Sequence, residues 1–364
     1  MRTIAASLCC LALLSSAPAR AFERALPGYV FEFPRDHFAH PEFQIEWWYY
    51  TGNLETADGR RFGYELTFFR NALEDAPLPR SPWDVDQVYL AHFTVSDIQA
   101  GAFHQSERLN RAGPGIAGAS LEKRAIWNGN WRADWLDGGE QRLRAVSDGF
   151  AIEFELRTAK PPVVQGVNGV SQKADGLGKA SHYVSFTRLE TRGTVTVGGE
   201  SFAVTGESWM DHEFSTDSMG EGQQGWDWMS IAWQDGTELM LYRMRREDGT
   251  ADSHSAGTFI DKAGKARHLT SEDFEMTPSE WWTSERTGGR YPLAWTVRVK
   301  SLGLEFRMST PLEKQEVVSR AGPSYWEGAS DFEGTGPAGP VRGRGYVEMT
   351  GYDRPLQLGV APKP

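Results

Sequence analysis

Cysteine is nearly absent from this sequence. The 364 residues include only Cys9 and Cys10, both within the first 21 positions. Without that segment the chain has no thiol and no disulfide, so the fold must be stabilised by burial of apolar surface. The sequence also lacks a Gly-X-Ser-X-Gly elbow, a phosphate-binding loop and a dinucleotide fingerprint. Their absence argues against a serine hydrolase and against nucleotide-dependent enzymes.

Long apolar runs are scarce as well. Residues 4–14 are apolar, follow Arg2 and precede small residues that end at Ala21. This layout is typical of a secretory signal peptide, and the run is too short to span a bilayer. We therefore expect residues 1–21 to be a signal peptide that is cleaved near Ala21. We expect the rest of the chain to be secreted and periplasmic, with no transmembrane segment after cleavage.

Positive charge is in the minority. The chain has 38 Lys and Arg against 49 Asp and Glu, and removal of residues 1–21 leaves 36 basic side chains and a net charge of −13. Because phosphate backbones are bound through basic patches, nucleic acid is not expected as a partner.

The chain contains an internal repeat. Residues 47–50, followed by an Asp58-Gly59 turn, recur as residues 226–229, followed by an Asp235-Gly236 turn. Both read as β-hairpins, because Asp-Gly provides the positive φ angles of a tight turn. Four weaker matches follow in the same order as far as Tyr352. The repeat predicts two modules, at residues 22–218 and 219–364.

Short runs of alternating polarity predict an all-β chain. In residues 62–68 the even positions are apolar or aromatic, whereas Gly63, Glu65 and Thr67 face the other way, as in a strand with one wet face. Turn residues separate such runs at intervals of roughly ten positions, which is typical of antiparallel sandwiches and barrels.

Aromatic residues are abundant, with 14 Trp in the chain. A single Trp is most often a core residue, but the set predicts a cavity with flat aromatic walls, suited to an apolar small-molecule ligand and able to stabilise a cation. The candidate ligand-binding residues are Trp48, Tyr50, His92, Tyr183, Phe214, Trp228 and Tyr242.

The segment from Glu207 to Phe214 contains the strongest candidate site. Strand alternation sends His212 into the barrel and places Asp211 and Glu213 on the opposite face. A histidine flanked by carboxylates suits acid–base chemistry, because the carboxylates fix its tautomer.

Two alternatives remain open for this segment. Its Asp, His and Glu could form a buried polar trio that ties the barrel closed. A metal site would need further histidines at close spacing, and His92, His104 and His182 are scattered singly, so no metal is predicted. Glu46 is a further catalytic candidate, because desolvation against two adjacent tryptophans would raise its pKa and let it donate a proton.

Five motifs carry a resemblance to a known family. They lie at residues 33–37, 46–52, 91–93, 208–213 and 345–352. Together they resemble the AttH-like lipocalin family, which includes the carotenoid 1,2-hydratases, and the resemblance covers nearly the whole chain after residue 21. It implies two tandem lipocalin-like antiparallel β-barrels.

The resemblance also implies a reaction. The hydratases add water to a terminal isoprenoid double bond without a cofactor, and related fungal proteins catalyse cyclisations. In the hydratases the residues that match Asp211 and His212 are followed by Asn and Trp, whereas here they are followed by Glu213 and Phe214. The resemblance therefore implies the catalytic pair Asp211 and His212 more strongly than a carotenoid substrate.

The expected function is a cofactor-free hydratase of an isoprenoid double bond. In that scheme Asp211 is the first choice of acid, Glu46 or Glu213 the second, and His212 positions or deprotonates water. The alternatives are a non-catalytic periplasmic carrier of a lipid or other apolar molecule, and a hydrolase or cyclase on the same scaffold.

Overall fold

The structure is a computed structural model that describes residues 22–73, 81 and 83–358. The predicted signal peptide and its cleavage site lie outside the described residues. Apart from strands, the described residues form two short 3-10 helices, Arg35–His37 and Lys300–Leu302. None of the helices among them is long and apolar enough to cross a membrane.

The first sheet is a nearly closed antiparallel barrel. Along it the strands run in the order β4-β3-β2-β1-β13-β12-β9-β8-β7-β6-β5, with β10 and β11 also paired to β12. These are β1 (Ile45–Glu55), β2 (Arg61–Ala72), β3 (Gln87–Asp97), β4 (Ala102–Arg111), β5 (Ala117–Ser120), β6 (Ala125–Asn128), β7 (Trp131–Trp135), β8 (Gln141–Ser147), β9 (Phe150–Thr158), β10 (Val163–Val164), β11 (Ser171–Gln172), β12 (Ala180–Val197) and β13 (Glu200–Ser215).

The second sheet is an antiparallel half-barrel. Its order is β17-β16-β15-β14-β23-β22-β20-β19-β18, with β21 also paired to β22. Its strands are β14 (Gln223–Trp233), β15 (Glu238–Arg246), β16 (Ala256–Ile260), β17 (Ala266–Thr270), β18 (Phe274–Thr283), β19 (Arg290–Val299), β20 (Leu304–Ser309), β21 (Glu316–Val317), β22 (Tyr325–Gly336) and β23 (Gly339–Thr350).

The two sheets repeat one topology. In each, the first strand of the module pairs with the second strand on one side and with the last strand on the other: β1 with β2 and β13, β14 with β15 and β23. The predicted tandem lipocalin-like, all-β fold is therefore confirmed. The predicted division at 218/219 falls between β13 and β14 and stays a prediction.

Each module has its own packed interior. On β2 the even positions Phe62, Tyr64, Leu66 and Phe68 point into the first barrel and are almost completely buried. A separate cluster, which includes Trp295 and Trp326, fills the second module. Burial of this apolar surface replaces the disulfides that the sequence lacks.

The other face of β2 differs from the sequence prediction. Glu65 and Thr67 were expected to face water, but both are fully buried. The second module covers this face, and an added Cβ at Gly63 would lie 2.8 Å from the Cβ of Ala329. Alternation shows that a strand has two faces, but it cannot distinguish water from another module.

Residues 161–179 form a stretch rich in glycine. It contains β10 and β11 and lies against β12. Gln165 is buried in it, donates to Ser185 Oγ at 2.8 Å and accepts from Thr258 Oγ1 of the second module at 2.5 Å. The stretch therefore helps to hold the two modules together.

Candidate functional site

The candidate site lies between the modules, because β13 sends adjacent side chains in opposite directions. Asp211 points outward toward the second module, whereas His212 points into the first barrel and stacks on Trp48 with ring centroids 4.8 Å apart. The two residues predicted to act as a pair therefore cannot reach the same substrate. The reason is that successive side chains of a strand point to opposite faces, as the sequence already indicated.

A cavity of about 140 Å³ lies on the Asp211 side. An apolar cavity of roughly 150 Å³ accommodates benzene, so this one accommodates a group of similar size. Leu109 lines it and is 55% exposed, so the cavity opens to solvent there. Both modules contribute aromatic walls: Trp47, Tyr49, Tyr183, Trp226, Trp228 and Tyr242.

Asp211 is surrounded by uncharged hydrogen-bond donors. Its Oδ2 accepts from the Tyr183 hydroxyl at 2.6 Å, and its Oδ1 accepts from Ser185 Oγ at 2.5 Å and Trp209 Nε1 at 2.6 Å. Burial raises the pKa of Asp211 to about 7, and the three donors only partly oppose the rise. Near neutral pH this carboxyl is therefore neutral in a large fraction of molecules.

Tyr183 links Asp211 to the second module. Its hydroxyl accepts a hydrogen bond from Trp228 Nε1 at 3.2 Å while it donates to Asp211. Burial, together with the neighbouring Asp211, raises the pKa of Tyr183 well above its usual value. The phenol therefore stays protonated and fixes the position of the acid.

Glu213 forms an ion pair at the edge of the cavity. Its Oε1 lies 3.4 Å from Lys173 Nζ and accepts a hydrogen bond from Ser181. Lys173 also lies over the Tyr242 ring, 4.0 Å from the centroid. Burial opposes the charge of Lys173, but Glu213 and Tyr242 hold the pKa of its ammonium above the usual value.

On the other face of β13 His212 belongs to a buried polar cluster. Its Nε2 lies 2.8 Å from Glu46 Oε1, and its Nδ1 lies 3.0 Å from the main-chain oxygen of Asp36. His40 Nδ1 donates to the same Glu46 oxygen at 2.7 Å, and Arg70 Nε donates to Glu46 Oε2 at 2.8 Å. We call His40, Glu46, Arg70 and His212 the buried cluster.

The pKa of Glu46 departs from the sequence prediction. Burial would raise it, as expected, but Arg70, His40 and His212 outweigh burial and hold it well below its usual value. Glu46 is therefore an ionised carboxylate and not a proton donor. Burial also lowers the pKa of His212, although Glu46 opposes the change.

The ligand atoms of His40, Glu46 and His212 lie within 4.8 Å of one another, which is close enough for a shared metal ion. Their atoms, however, already have partners, and the Arg70 guanidinium supplies the positive charge at Glu46. A divalent cation would meet that like charge, so the donor set fits a hydrogen-bonded cluster better than a metal site.

The predicted site residues divide between the two faces. Six line the cavity: His92, Tyr183, Asp211, Glu213, Trp228 and Tyr242. Five lie on the opposite face, within the first barrel or beside the buried cluster: Glu46, Trp48, Tyr50, His212 and Phe214.

Sequence reasoning missed three polar residues at this site. Lys173 lies in the glycine-rich stretch and Glu348 near the end of β23, and both line the cavity. His40 completes the buried cluster. None of the three has a distinctive local pattern, although Glu348 falls within the last of the five family-like motifs.

Comparisons with known proteins agree with this architecture. The model of the AttH-like family matches residues 24–352. A crystal structure described as an AttH from Nitrosomonas europaea shares 35% identity, with 91% of this chain and 99% of that chain covered and a TM-score of 0.82. Curated proteins gave no match.

More distant structures share the fold. Kievitone hydratase from Nectria haematococca is 16% identical with a TM-score of 0.67, and 92% of this chain and 99% of that chain are covered. CghA with Sch210972 is 12% identical with a TM-score of 0.54, covering 93% and 96% respectively. From the family match and the 35% identity over nearly the whole chain, this protein belongs to the AttH-like family.

Proposed function

We propose that this protein is a cofactor-free hydratase that adds water to a trisubstituted isoprenoid double bond in the cavity between its modules. The observation that carries the proposal is Asp211, a carboxyl with a pKa near 7 in a cavity walled by aromatic rings. General acid catalysis needs a group that is neutral yet able to give up its proton near the working pH.

In the proposed reaction the Asp211 carboxyl transfers its proton to the less substituted alkene carbon. The resulting tertiary cation lies against the faces of Trp228 and Tyr49, whose ring quadrupoles favour positive charge. Water then bonds to the cation and loses one proton to a base, so the net change is addition of H and OH. His212 cannot be that base, because it lies on the other face of β13.

The size of the cavity limits the substrate. Pockets for drug-sized ligands have volumes of roughly 300–1,000 Å³, well above the 140 Å³ found here. A branched five-carbon isoprenoid end fits, and a longer molecule would extend past Leu109 into solvent. A carotenoid enclosed along its length would not fit.

The fold likeness gives limited support. A solved structure with the same fold is named a hydratase, so this two-module scaffold is compatible with the addition of water. At 16% identity that likeness concerns the scaffold alone. The carrier alternative shares the cavity but gives no role to the raised pKa of Asp211.

The test uses 3-methylbut-2-en-1-ol as the probe in ¹⁸O-labelled water, with mass spectrometry of the diol product. We expect labelled diol from the wild type and a loss of about a hundredfold or more in rate for Asp211→Asn, the usual range for removal of a general acid. The control is Asp137→Asn, whose fully exposed side chain should leave the rate unchanged.

Two outcomes would contradict the proposal. Equal diol formation by the wild type and Asp211→Asn would remove Asp211 from the chemistry. If calorimetry showed the wild type binding the probe without forming diol, and Asp211→Asn binding it equally well, the protein would be a carrier.

We also propose a periplasmic location, on the basis of the signal-like residues 1–21. Immunoblotting of periplasmic and cytoplasmic fractions for a C-terminal tag checks it, and recovery of an uncleaved chain in the cytoplasm would contradict it.

A further inference from the structure

We propose that Glu348 is a second acid–base residue of the cavity, which exchanges a proton with the water that adds to the substrate. The inference rests on the proposed hydratase function and supplies the base that His212 cannot provide. Glu348 lies on β23, opposite Trp228 of β14, and lines the same cavity as Asp211. One carboxyl thus comes from each module.

The two acids differ in their hydrogen bonds. Both oxygens of Asp211 are engaged by donors from the protein. Glu348 accepts one hydrogen bond, from Trp226 Nε1 to Oε2 at 2.7 Å, and within the described part of the chain no donor reaches its Oε1. That oxygen is therefore available to a water or a substrate hydroxyl in the cavity.

The charges around Glu348 favour sharing of a proton. Burial, together with the nearby Glu65, Asp211 and Glu213, raises its pKa to about 8 against the effect of the Trp226 hydrogen bond. Lys173 is the cation on this side, and it is paired with Glu213.

The charge of Asp211 raises the pKa of Glu348, so the two carboxyls of the cavity titrate as a coupled pair. The step uses the singly protonated arrangement with the proton on Asp211 and the charge on Glu348.

The proton balance of the step is closed. Asp211 gives its proton to the alkene carbon and becomes a carboxylate, while the cation forms at the neighbouring carbon. The water oxygen bonds to that carbon, and its surplus proton passes to the Glu348 carboxylate. Proton transfer from Glu348 to Asp211 through cavity water then restores the starting state, so no oxidant, reductant or further reactant is needed.

Two other buried acids nearby do not share this role. Glu65 and Glu327 accept hydrogen bonds from Tyr325 at 2.8 Å and Tyr49 at 2.6 Å respectively. Neither is among the residues that line the cavity. Among the described residues that line the cavity, Glu348 is therefore the acid that the second module contributes.

The experiment compares the wild type, Glu348→Gln, Glu348→Asp and Asp211→Asn with 3-methylbut-2-en-1-ol in ¹⁸O-labelled water across pH 5 to 10. Gln keeps an acceptor for Trp226, so we expect Glu348→Gln to fold, to keep KM, and to lose about a hundredfold or more in kcat. Glu348→Asp should recover part of the rate. The exposed Glu333→Gln on β22 is the control and should match the wild type.

The pH profile separates catalysis from a structural effect. A pair that must hold one proton gives a bell-shaped wild-type profile, and Glu348→Gln should lose one limb. Wild-type turnover by Glu348→Gln, with Asp211→Asn inactive, would overturn the role of Glu348 and leave the proposed function intact. No diol from the wild type would overturn the proposed function and this inference with it.

Discussion

At the scale of single residues, Asp211 and Glu46 show how neighbours set the protonation of a buried carboxyl. Both are almost fully buried. Asp211 has only neutral donors around it, so burial decides and raises its pKa to about 7. Glu46 contacts Arg70 and His40, whose positive charges hold its pKa well below the usual range despite burial. The first can deliver a proton, and the second acts as a fixed anion.

The buried cluster predicts a stability effect for Glu46→Gln. The change leaves the Arg70 guanidinium buried without its counter-charge, and removal of one partner of a buried pair costs about 3–5 kcal/mol. We expect a loss of this size in the free energy of unfolding by urea. Glu153→Gln, which breaks an exposed pair with Arg144, should cost less than about 1 kcal/mol.

The opposite pattern would reassign Glu46. If Glu46→Gln kept wild-type stability but lost diol formation, Glu46 would act in the chemistry, as the sequence analysis first suggested.

The sequence was informative about candidate residues and less so about which of them meet. Alternation on β13 already placed Asp211 and His212 on opposite faces, and the structure has them there. Alternation could not show that the outward face of β13 meets a second set of aromatic side chains. Trp228 and Tyr242 come from strands that pair with neither β12 nor β13. The pKa of Glu46 was mispredicted because Arg70 is 24 residues away in sequence.

At the scale of elements, the stretch that contains β10 and β11 contributes Lys173 to the wall of the cavity. It has little regular structure, which is why its role could not be predicted from local patterns. Its position depends on contacts from single residues, such as Gln165 to both modules and Lys173 to Glu213.

Lys173→Met tests this element. The side chains of Lys173 and Glu213 are only 11% and 7% exposed, so loss of the ammonium leaves a buried carboxylate unpaired. We expect a cost of about 3–5 kcal/mol in the free energy of unfolding, measured by urea denaturation. Adding Glu213→Gln should recover most of it, because the double variant buries no charge.

Lys179→Met is the matched control from the same stretch. Its pair with Asp217 is 33% and 43% exposed and should contribute less than about 1 kcal/mol. Equal losses in the free energy of unfolding for the two lysine variants would mean that the buried pair with Glu213 stabilises the fold no more than the exposed pair with Asp217.

At the scale of the whole molecule, buried acids lie where the modules meet. Burial raises the pKa values of Glu65 and Glu327, and that of Glu348 to about 8. Among the described residues, Glu65 Oε2 and Glu327 Oε2 have no hydrogen-bond partner. Burial between the modules therefore favours the neutral form of these carboxyls.

This arrangement predicts that stability falls as pH rises. Below the unfolded pKa, near 4.5, both states hold the protons and nothing is lost. Above it the unfolded chain releases protons that the folded state keeps, until pH passes the folded pKa. Within that interval each carboxyl should lower the free energy of unfolding by about 1.4 kcal/mol per pH unit. Urea unfolding from pH 5 to 9 measures it.

Glu327→Gln should remove about one such contribution and flatten the slope, whereas the exposed Glu333→Gln should leave it unchanged. A stability that does not vary between pH 5 and 9, or an unaltered slope in Glu327→Gln, would show that these acids are ionised in the folded protein.

The fold was the more predictable part, because two-residue alternation, Asp-Gly turns and the repeat are all local in sequence. The location of the cavity was not, because the aromatic content and strand alternation indicated a hollow barrel with His212 pointing into it. The interior of the first barrel is instead filled by side chains such as Trp48 and Tyr64. Contact between modules depends on residues far apart in the chain, so local patterns cannot reveal it.

The cavity lies between two interiors that pack independently, so the residues that stabilise each barrel differ from those that form the cavity wall. A wall residue such as Met244 or Trp228 belongs to neither of the two interiors, so a change there can reshape the ligand site while both barrels keep their packing. A protein built in this way can change the shape of its cavity without rebuilding its scaffold.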